Sequence, residues 1–360
     1  MSGSAVRVVS SLAETGLDAP TWNTLASYGT NSIFQTHQWH RSWMSTYGSQ
    51  YEPALVVVSN GAAVKGVAPL VVETTSYGRV ARFIGDGRSD YCDLLADDDR
   101  GTVGAMIGGL RDYHRWDVMD LKNIPEQSRT VEMIRSACRD AGFSVIVRDQ
   151  FLCPTLLVRG HEQSANLIFN KAALRRRYNR IQRMGRLVCR DLTTAAEVEP
   201  YLDRFFEQHV SRWSGTTTPS LFNEAANRAF YRELTTRLDG TGWLLFSLVE
   251  LDDQPIAIHY GFDCNDALLW YKPSFDPAFA SRSPGLVLVR HLIGRAVEYG
   301  RREFDFTVGQ EPFKLRFANS VRKTVRIQVF RDATRYAYER SKLGVIEAVR
   351  RMTGNLGKRS

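Results

Sequence analysis

The chain has 360 residues, a hydrophobic fraction of 43%, a charged fraction of 24% and a net charge of +8 at pH 7. This composition excludes an intrinsically disordered or fibrous protein, and the length predicts two domains with separate cores. The sequence has neither an apolar run of roughly 18 residues, which a membrane-spanning helix needs, nor a basic and then apolar leader. We therefore expect a cytoplasmic protein.

The first part of the chain mixes predicted helices and strands. Apolar residues at helical spacing predict a helix over 34–47, and Asn60-Gly61 predicts a hairpin between strands at 54–58 and 64–72. Further strands are predicted at 81–84, 91–95 and 117–121, with helices near 100–113 and 128–141. We expect a first domain over residues 1–155.

The second part repeats this mixture. Helices are predicted at 164–184, 196–213, 223–238 and 284–299, and strands at 244–251, 256–263, 267–273, 303–307 and 324–330. The expected fold class is α/β (α+β), with mixed central sheets flanked by helices. We expect a second domain over residues 156–331 and a basic helical tail over residues 332–360.

Positive charge is concentrated in two segments. Residues 171–190 contain eight basic and no acidic residues, and residues 331–360 contain eight basic and three acidic ones, which leaves a net charge of −5 on the rest. Such segments bind anionic partners or form solvated helix faces, and both interpretations stay open. The arginines that we assign to substrate binding on the predicted helix 164–184 are Arg175, Arg176 and Arg180. Its predicted buried side includes Leu167 and Leu174.

The five cysteines are scattered through the sequence and include no C-x-x-C pair. This spacing predicts neither a disulfide framework nor a zinc site, and we expect buried thiols and no bound metal.

The predicted helix 284–299 has clear ends. Ser283 is the predicted N-cap, Pro284 is the first helical residue and Gly300 follows the last turn. Gly285 lets a ligand approach the backbone and Arg282 adds positive charge, so this helix start is a candidate pyrophosphate site. An ordinary helix start is the equally weighted alternative.

These residues resemble a known family. Arg282-x-x-Gly285-x-Val287 resembles the acyl-CoA signature (Gln/Arg)-x-x-Gly-x-(Gly/Ala) of the GNAT superfamily, with Val287 as a departure. The chain also resembles the CelD-type, Fem-related acetyltransferases of bacterial polysaccharide biosynthesis over roughly residues 30–330. The matching segments are Phe34-Gln35, Trp39, Trp43, Leu174-Arg175-Arg176, His209-x-x-Arg212-Trp213, Pro255-Ile256-Ala257, Trp270-Tyr271, Phe275-Asp276, Ser283-Pro284-Gly285 and Phe304-Asp305-Phe306-x-x-Gly309-x-Glu311-x-Phe313-Lys314.

The resemblance implies two tandem GNAT-like acyltransferase domains and acetyl-CoA or another acyl-CoA as co-substrate. The donor would lie along the strand that contains Trp270, with its pyrophosphate at the amides near Gly285. The implied acyl-CoA-binding residues are Tyr271, Arg282, Ser283, Pro284, Gly285 and Leu286. Trp270 is assigned to the acceptor.

Candidate catalytic groups follow the strand 303–307. Asp305, Glu311 and Lys314 lie at its end and in the next loop, where α/β proteins often place their sites. Lys314 is a candidate partner for Asp305. An ion pair that only holds the Gly309 turn is the structural alternative.

His209, Arg212 and Trp213 share one face of a predicted helix. A histidine with a near-neutral pKa could act as a general base, with Arg212 and Trp213 binding the acceptor. A half-buried core histidine beside a core tryptophan is the alternative. Asp90 and Tyr91, in a glycine-rich polar loop, are candidate acceptor-binding residues or part of an ordinary surface loop.

The leading hypothesis is an N-acyltransferase that moves an acyl group from acyl-CoA to an amine, an amino sugar or another glycan precursor in bacterial polysaccharide or cell-envelope biosynthesis. The basic segments would associate with polysaccharide-synthesis machinery or with the inner face of the membrane. One alternative is a Fem-like aminoacyltransferase that uses aminoacyl-tRNA. Another is a non-catalytic GNAT-fold accessory protein.

Overall fold

A computed structural model describes residues 4–97 and 100–356. Its strands are β1 (Ala5–Val9), β2 (Glu52–Pro53), β3 (Leu55–Asn60), β4 (Ala63–Ala68), β5 (Leu70–Thr75), β6 (Gly78–Phe83), β7 (Leu95–Ala96), β8 (Val118–Pro125), β9 (Ser144–Leu157), β10 (Leu187–Leu192), β11 (Leu244–Leu251), β12 (Gln254–Cys264), β13 (Ala267–Phe275), β14 (Glu303–Asp305) and β15 (Ser320–Phe330).

The α-helices, in the same numbering order, are α1 (Ala19–Tyr28), α2 (His37–Tyr47), α3 (Arg100–Asp112), α4 (Thr130–Asp140), α5 (Glu162–Phe169), α6 (Ala172–Gln182), α7 (Ala195–Trp213), α8 (Ala225–Leu238), α9 (Pro284–Glu298), α10 (Pro312–Phe317) and α11 (Ala333–Leu356). A 3-10 helix, Pro277–Arg282, leads into α9.

The chain divides into two compact units. Unit 1 contains residues 4–30, 50–97, 100–150 and 325–356, and unit 2 contains residues 31–49 and 151–324. The expected domains differ from these units at residues 31–49 and 151–155, which lie in unit 2, and at residues 325–331, which lie in unit 1. Residues 31–49 belong to unit 2 because α2 packs against α8. Residues 357–360 of the expected tail lie outside the described residues.

Unit 1 contains two sheets among its described residues. One has the antiparallel order β1-β3-β4-β7. The other has the order β2-β5-β6-β8-β15-β9, with β6 and β8 parallel and β5 and β6 antiparallel. Apolar residues of these sheets and of α3 and α4 form one core around Trp116.

Unit 2 contains a sheet of order β10-β11-β12-β13-β14-β9. The β10–β11, β11–β12, β12–β13 and β14–β9 pairs are antiparallel, and β13 and β14 are parallel. Helices α5, α6 and α9 cover one face of this sheet with aliphatic side chains. An aromatic cluster joins α2, α7 and α8 to the other face, for example through Trp39, Phe205 and Tyr231.

The predicted fold class is confirmed, because both units are mixed sheets flanked by helices. The Asn60-Gly61 hairpin is confirmed by the β3–β4 pairing. The predicted strand 91–95 is wrong. Only Leu95–Ala96 form a strand, because the preceding residues form a loop in which the Cys92 N–H donates to the carbonyl of Asn123.

The predicted single helix 164–184 is also wrong. It breaks between α5 and α6 at Asn170 and Lys171, and the Lys171 ammonium donates to the carbonyl of Arg316 at 2.6 Å. Because of the break, Ile168 and Leu174 are both buried in the core. In a continuous helix these two side chains would point in different directions. Leu167, predicted to be buried, is 67% exposed.

All five cysteines are free, and four of them are buried. Within the described residues, no helix is both long enough and apolar enough to cross a membrane.

Candidate functional site

The strands β13 and β14 separate shortly after they meet. They pair over Ala267–Leu269 opposite Glu303–Asp305, although β13 continues to Phe275. In the described part of the chain, no strand pairs with this edge of β13 beyond Leu269. The unpaired edge offers backbone N–H and C=O groups to an extended ligand, as exposed sheet edges do.

A β-bulge lies at the point of separation. Trp270 and Tyr271 together face Gly261 of β12, because the register shifts between Tyr260 and Phe262. The Tyr271 N–H donates to Nε2 of His259 at 3.1 Å. A Cβ atom at Gly261 would overlap the His259 ring, so the bulge requires glycine there.

His259 is a site residue that sequence reasoning undervalued. Its ring stacks on Trp270 with centroids 4.9 Å apart and an interplanar angle of 15°. Complete burial is the main reason that its pKa falls to about 3, so the ring is neutral and accepts the Tyr271 hydrogen bond. A polar residue within the strongly apolar strand β12 was the available signal.

The start of α9 lies beside the end of β13. Ser283 occupies the predicted N-cap position, but its backbone is left-handed (φ 59°) and its side chain caps no amide. The Gly285 N–H donates to no described residue. A Cβ atom at Gly285 would meet only Phe275, at 3.8 Å. This uncapped, positively polarised helix end is suited to an anion.

Positive charge and aromatic rings surround the same end of β13. The Arg212 guanidinium lies 4.5 Å from the Phe275 ring centroid and 5.3 Å from that of Trp213, and it donates to the carbonyl of Pro273 at 2.8 Å. Burial lowers the pKa of Arg212, and the nearby carboxylate of Glu311 opposes this shift. Within the described residues, Arg282 forms no ion pair, which leaves a second cation beside α9.

His209 lies next to this group but does not have the expected pKa. Its ring stacks on Trp213, and its Nδ1 shares a hydrogen bond of 2.8 Å with the Ser220 hydroxyl. Burial, followed by the positive charges of Lys272 and Arg212, lowers its pKa to about 3. The prediction of a near-neutral pKa is therefore wrong, and His209 is a neutral, weakly basic ring.

The loop after β14 holds a carboxylate in a fixed but accessible position. The Lys314 ammonium donates to the carbonyl of Val308 at 2.7 Å and pairs with Oε2 of Glu311 at 3.1 Å. Gly309 has φ 134°, and a Cβ atom there would overlap the Glu311 carboxylate. The side chain of Glu311 is 53% exposed, against 6% for Lys314. Of the ion pairs that could hold the Gly309 turn, the structure therefore forms the one between Glu311 and Lys314.

Asp305 has a different partner from the one predicted. Its Oδ2 accepts from Arg322 at 3.2 Å and its Oδ1 accepts from the Thr307 N–H at 2.7 Å, whereas Lys314 pairs with Glu311. The Thr307 hydroxyl in turn donates to the carbonyl of Trp270 at 3.0 Å. These contacts tie the loop after β14 to the bulge of β13.

Arg322 neutralises two buried carboxylates, Asp305 and Glu303. We expect Arg322→Met to destabilise the protein by about 3–5 kcal/mol, because removing one partner leaves uncompensated buried charge. Arg302→Met is the control. Arg302 also pairs with Glu303, but its side chain is 54% exposed, so a loss of at most about 1 kcal/mol is expected. Urea unfolding measures both, and equal losses would contradict this account.

The other predicted residues lie elsewhere. The side chains of Trp270 and Tyr271 are buried among aromatic rings, so they offer a ligand mainly their backbone. Asp90 and Tyr91 are in unit 1.

The predicted substrate-binding arginines of α6 are exposed, and their side chains form no hydrogen bond or ion pair with any described residue. These residues are Arg175, Arg176 and Arg180. α6 packs against α9 and the 3-10 helix before it.

Among the described residues, no group of three or more His, Cys, Asp or Glu side chains is placed to hold a metal ion.

Comparisons with known proteins agree with the fold. Residues 170–315 match the family described as acetyltransferase (GNAT) domain. No curated protein matches the sequence. The crystal structure of FemX is 9% identical, with a TM-score of 0.62, covering 86% of this chain and 96% of FemX. The structure of L-PGS from Bacillus licheniformis is 10% identical, with a TM-score of 0.55, and the match covers 94% of this chain and 97% of that structure.

A third similar structure is the C-terminal domain (DUF2156) of a putative lysylphosphatidylglycerol synthetase from Agrobacterium fabrum. It is 11% identical, with a TM-score of 0.56, and the match covers 94% of this chain and 97% of that domain. At these identities the likeness establishes the fold alone. Residues 170–315 are thus similar to the acetyltransferase (GNAT) domain family, within a chain of mixed α/β fold.

Proposed function

We propose that the protein is an N-acyltransferase that transfers an acyl group from acyl-CoA to an amine. The observation that carries this proposal is the separation of β13 from β14 beside the uncapped start of α9. A donor with an extended amide-containing arm and a pyrophosphate needs a free strand edge and an anion site at one end of it.

The residues fit such a donor. Its arm would pair with the β13 edge between Trp270 and Phe275, and its pyrophosphate would meet the Gly285 N–H with Arg212 and Arg282 nearby. The departure from the acyl-CoA signature at Val287 does not conflict with this arrangement, because the Val287 side chain is fully buried in the core.

Glu311 is the proposed general base. In the reaction the amine nitrogen attacks the thioester carbon, the C–S bond breaks, CoA leaves and the nitrogen loses a proton. The Glu311 carboxylate attracts the protonated amine and takes the proton that frees its lone pair for attack. The proton that the nitrogen loses after the attack passes to the sulfur of CoA, which then leaves as the thiol. Lys314 positions Glu311, and His259 fixes the bulge next to the reacting region. Holding both substrates in place supplies much of the remaining rate acceleration.

The proposed acceptor is an amine or amino-sugar precursor of a bacterial polysaccharide or of the cell envelope. This choice rests on the resemblance to CelD-type acetyltransferases. The protein would act in the cytoplasm, with the basic α6 and α11 segments close to polysaccharide-synthesis machinery or to the inner face of the membrane.

Acyl-CoA binding tests this function directly. Acetyl-CoA or a longer acyl-CoA should raise the melting temperature, with free CoA as a comparison for the acyl group. The absence of a shift with every CoA ester at millimolar concentration would contradict the proposal.

The second candidate is a Fem-like aminoacyltransferase that takes its acyl group from aminoacyl-tRNA. The cationic face of α6, defined by Arg175, Arg176 and Arg180, favours it because these arginines have no counter-ion among the described residues. Binding of aminoacyl-tRNA should then weaken steeply with salt.

Replacing all three arginines of this face with glutamine should weaken binding of the anionic substrate about tenfold at low salt, without lowering the melting temperature. The matched control replaces the same three residues with lysine, which keeps the charge and should keep most of the affinity. Titrations with acyl-CoA and with aminoacyl-tRNA show which substrate is affected. Unchanged affinity for both acyl-CoA and aminoacyl-tRNA would mean that this face of α6 is exposed to solvent and binds neither substrate.

A further inference from the structure

Unit 1 contains a cavity of about 380 Å³ that the proposed acyl transfer does not use. It lies on the face of the β6, β8, β15 and β9 strands that α11 covers. This face is opposite the aliphatic core of unit 1, because residues such as Arg82, Asp120 and Arg326 alternate along the strands with core residues.

One basic side chain of the cavity lining stands out from the others. Five basic and two acidic side chains line the cavity. Three of the five cations have carboxylate partners, because Arg82 pairs with Glu73, Arg326 with Asp120 and Lys342 with Glu339. Arg148 forms no hydrogen bond or ion pair with any described residue, and burial together with the nearby Arg326 lowers its pKa. An arginine without a partner can use its guanidinium N–H groups to bind an anion.

Gln328 supplies a second, independent observation. Only 8% of this residue is exposed, it lines the cavity, and its buried Oε1 has no hydrogen-bond partner among the described residues. A buried amide oxygen without a partner costs free energy, so it points to a ligand that donates a hydrogen bond there. Val80, Phe330 and Leu343 form an apolar wall beside it.

We propose that this cavity is a binding site for a small phosphate ester whose organic part carries hydroxyl groups, the chemical class of a sugar phosphate. Arg148 binds the phosphate, because its guanidinium has no carboxylate partner among the described residues and can form charge-assisted hydrogen bonds with the phosphate oxygens. Gln328 accepts a hydrogen bond from a hydroxyl group, and the apolar wall packs against the carbon skeleton. The site is independent of the proposed acyl-donor site in unit 2.

Calorimetric titration of the full-length protein with a hexose phosphate, the unphosphorylated hexose and inorganic phosphate tests this site. The hexose phosphate should bind more tightly than inorganic phosphate, and the hexose should bind weakest. Arg148→Gln should weaken both phosphate probes by about tenfold or more. Gln328→Leu should weaken the hexose phosphate and leave inorganic phosphate unchanged.

Arg139→Gln is the matched control, because Arg139 is an exposed arginine of unit 1 outside the cavity lining. It should leave all three titrations unchanged, and melting temperatures report whether each variant is folded. The proposal is overturned if the wild-type protein binds no phosphate probe at millimolar concentration, or if Arg148→Gln and Arg139→Gln bind equally well. Acyl-CoA titration of the same variants separates this outcome from failure of the acyltransferase proposal.

Discussion

Gly285→Phe is expected to abolish the rise in melting temperature that acyl-CoA produces, while the fold stays intact. A Cβ atom at Gly285 would meet only Phe275, at 3.8 Å, so a larger side chain extends into the space between the start of α9 and the end of β13. At a ligand concentration 100 times Kd, the lost stabilisation is about 2.7 kcal/mol.

The control for this variant is Gly104→Phe. Gly104 is also a helical glycine, in α3 of unit 1, and no atom would lie within 4 Å of its added Cβ. It should keep the full shift in melting temperature. Wild-type affinity for acyl-CoA in Gly285→Phe would place the donor elsewhere on the protein.

Glu311→Gln is expected to lower kcat by about 10²- to 10⁴-fold and to leave acyl-CoA binding unchanged, because an amide cannot take the proton from the attacking amine. Steady-state kinetics with a defined amine acceptor measure this loss. A purely structural role would lower stability and acyl-CoA binding instead.

A suitable control is Glu224→Gln. Glu224 occupies the N-cap position of α8 as Glu311 does for α10, and both residues are exposed. Full activity in Glu224→Gln and a large loss in Glu311→Gln would assign the effect to the position of the carboxylate. Comparable activity in both variants would remove Glu311 as the base.

Local sequence signals predicted the elements around the site well. Pro284 and Gly300 predicted the two ends of α9, because each residue affects the backbone only within about one turn of its own position. The Glu311–Lys314 pair could be predicted for the same reason, because its partners are three residues apart. Interactions of this range depend on nearby residues and little on the rest of the fold.

Features that depend on distant segments could not be predicted. Asp305 pairs with Arg322 of β15, and nothing local indicates which strand will lie beside it. The low pKa of His209 depends on complete packing around its ring. The break between α5 and α6 has neither glycine nor proline as a signal, because burial of residues on both sides of it decides the geometry.

The β13 bulge also affects how this strand is compared with others. The extra residue changes which side chains face α9 and which face α7, because side chains alternate along a strand. An alignment with a regular strand therefore needs a one-residue gap between Leu269 and Lys272. Without that gap, every residue from Lys272 to Phe275 would be matched to the wrong side of the sheet, and sequence identity along this part of β13 would be underestimated.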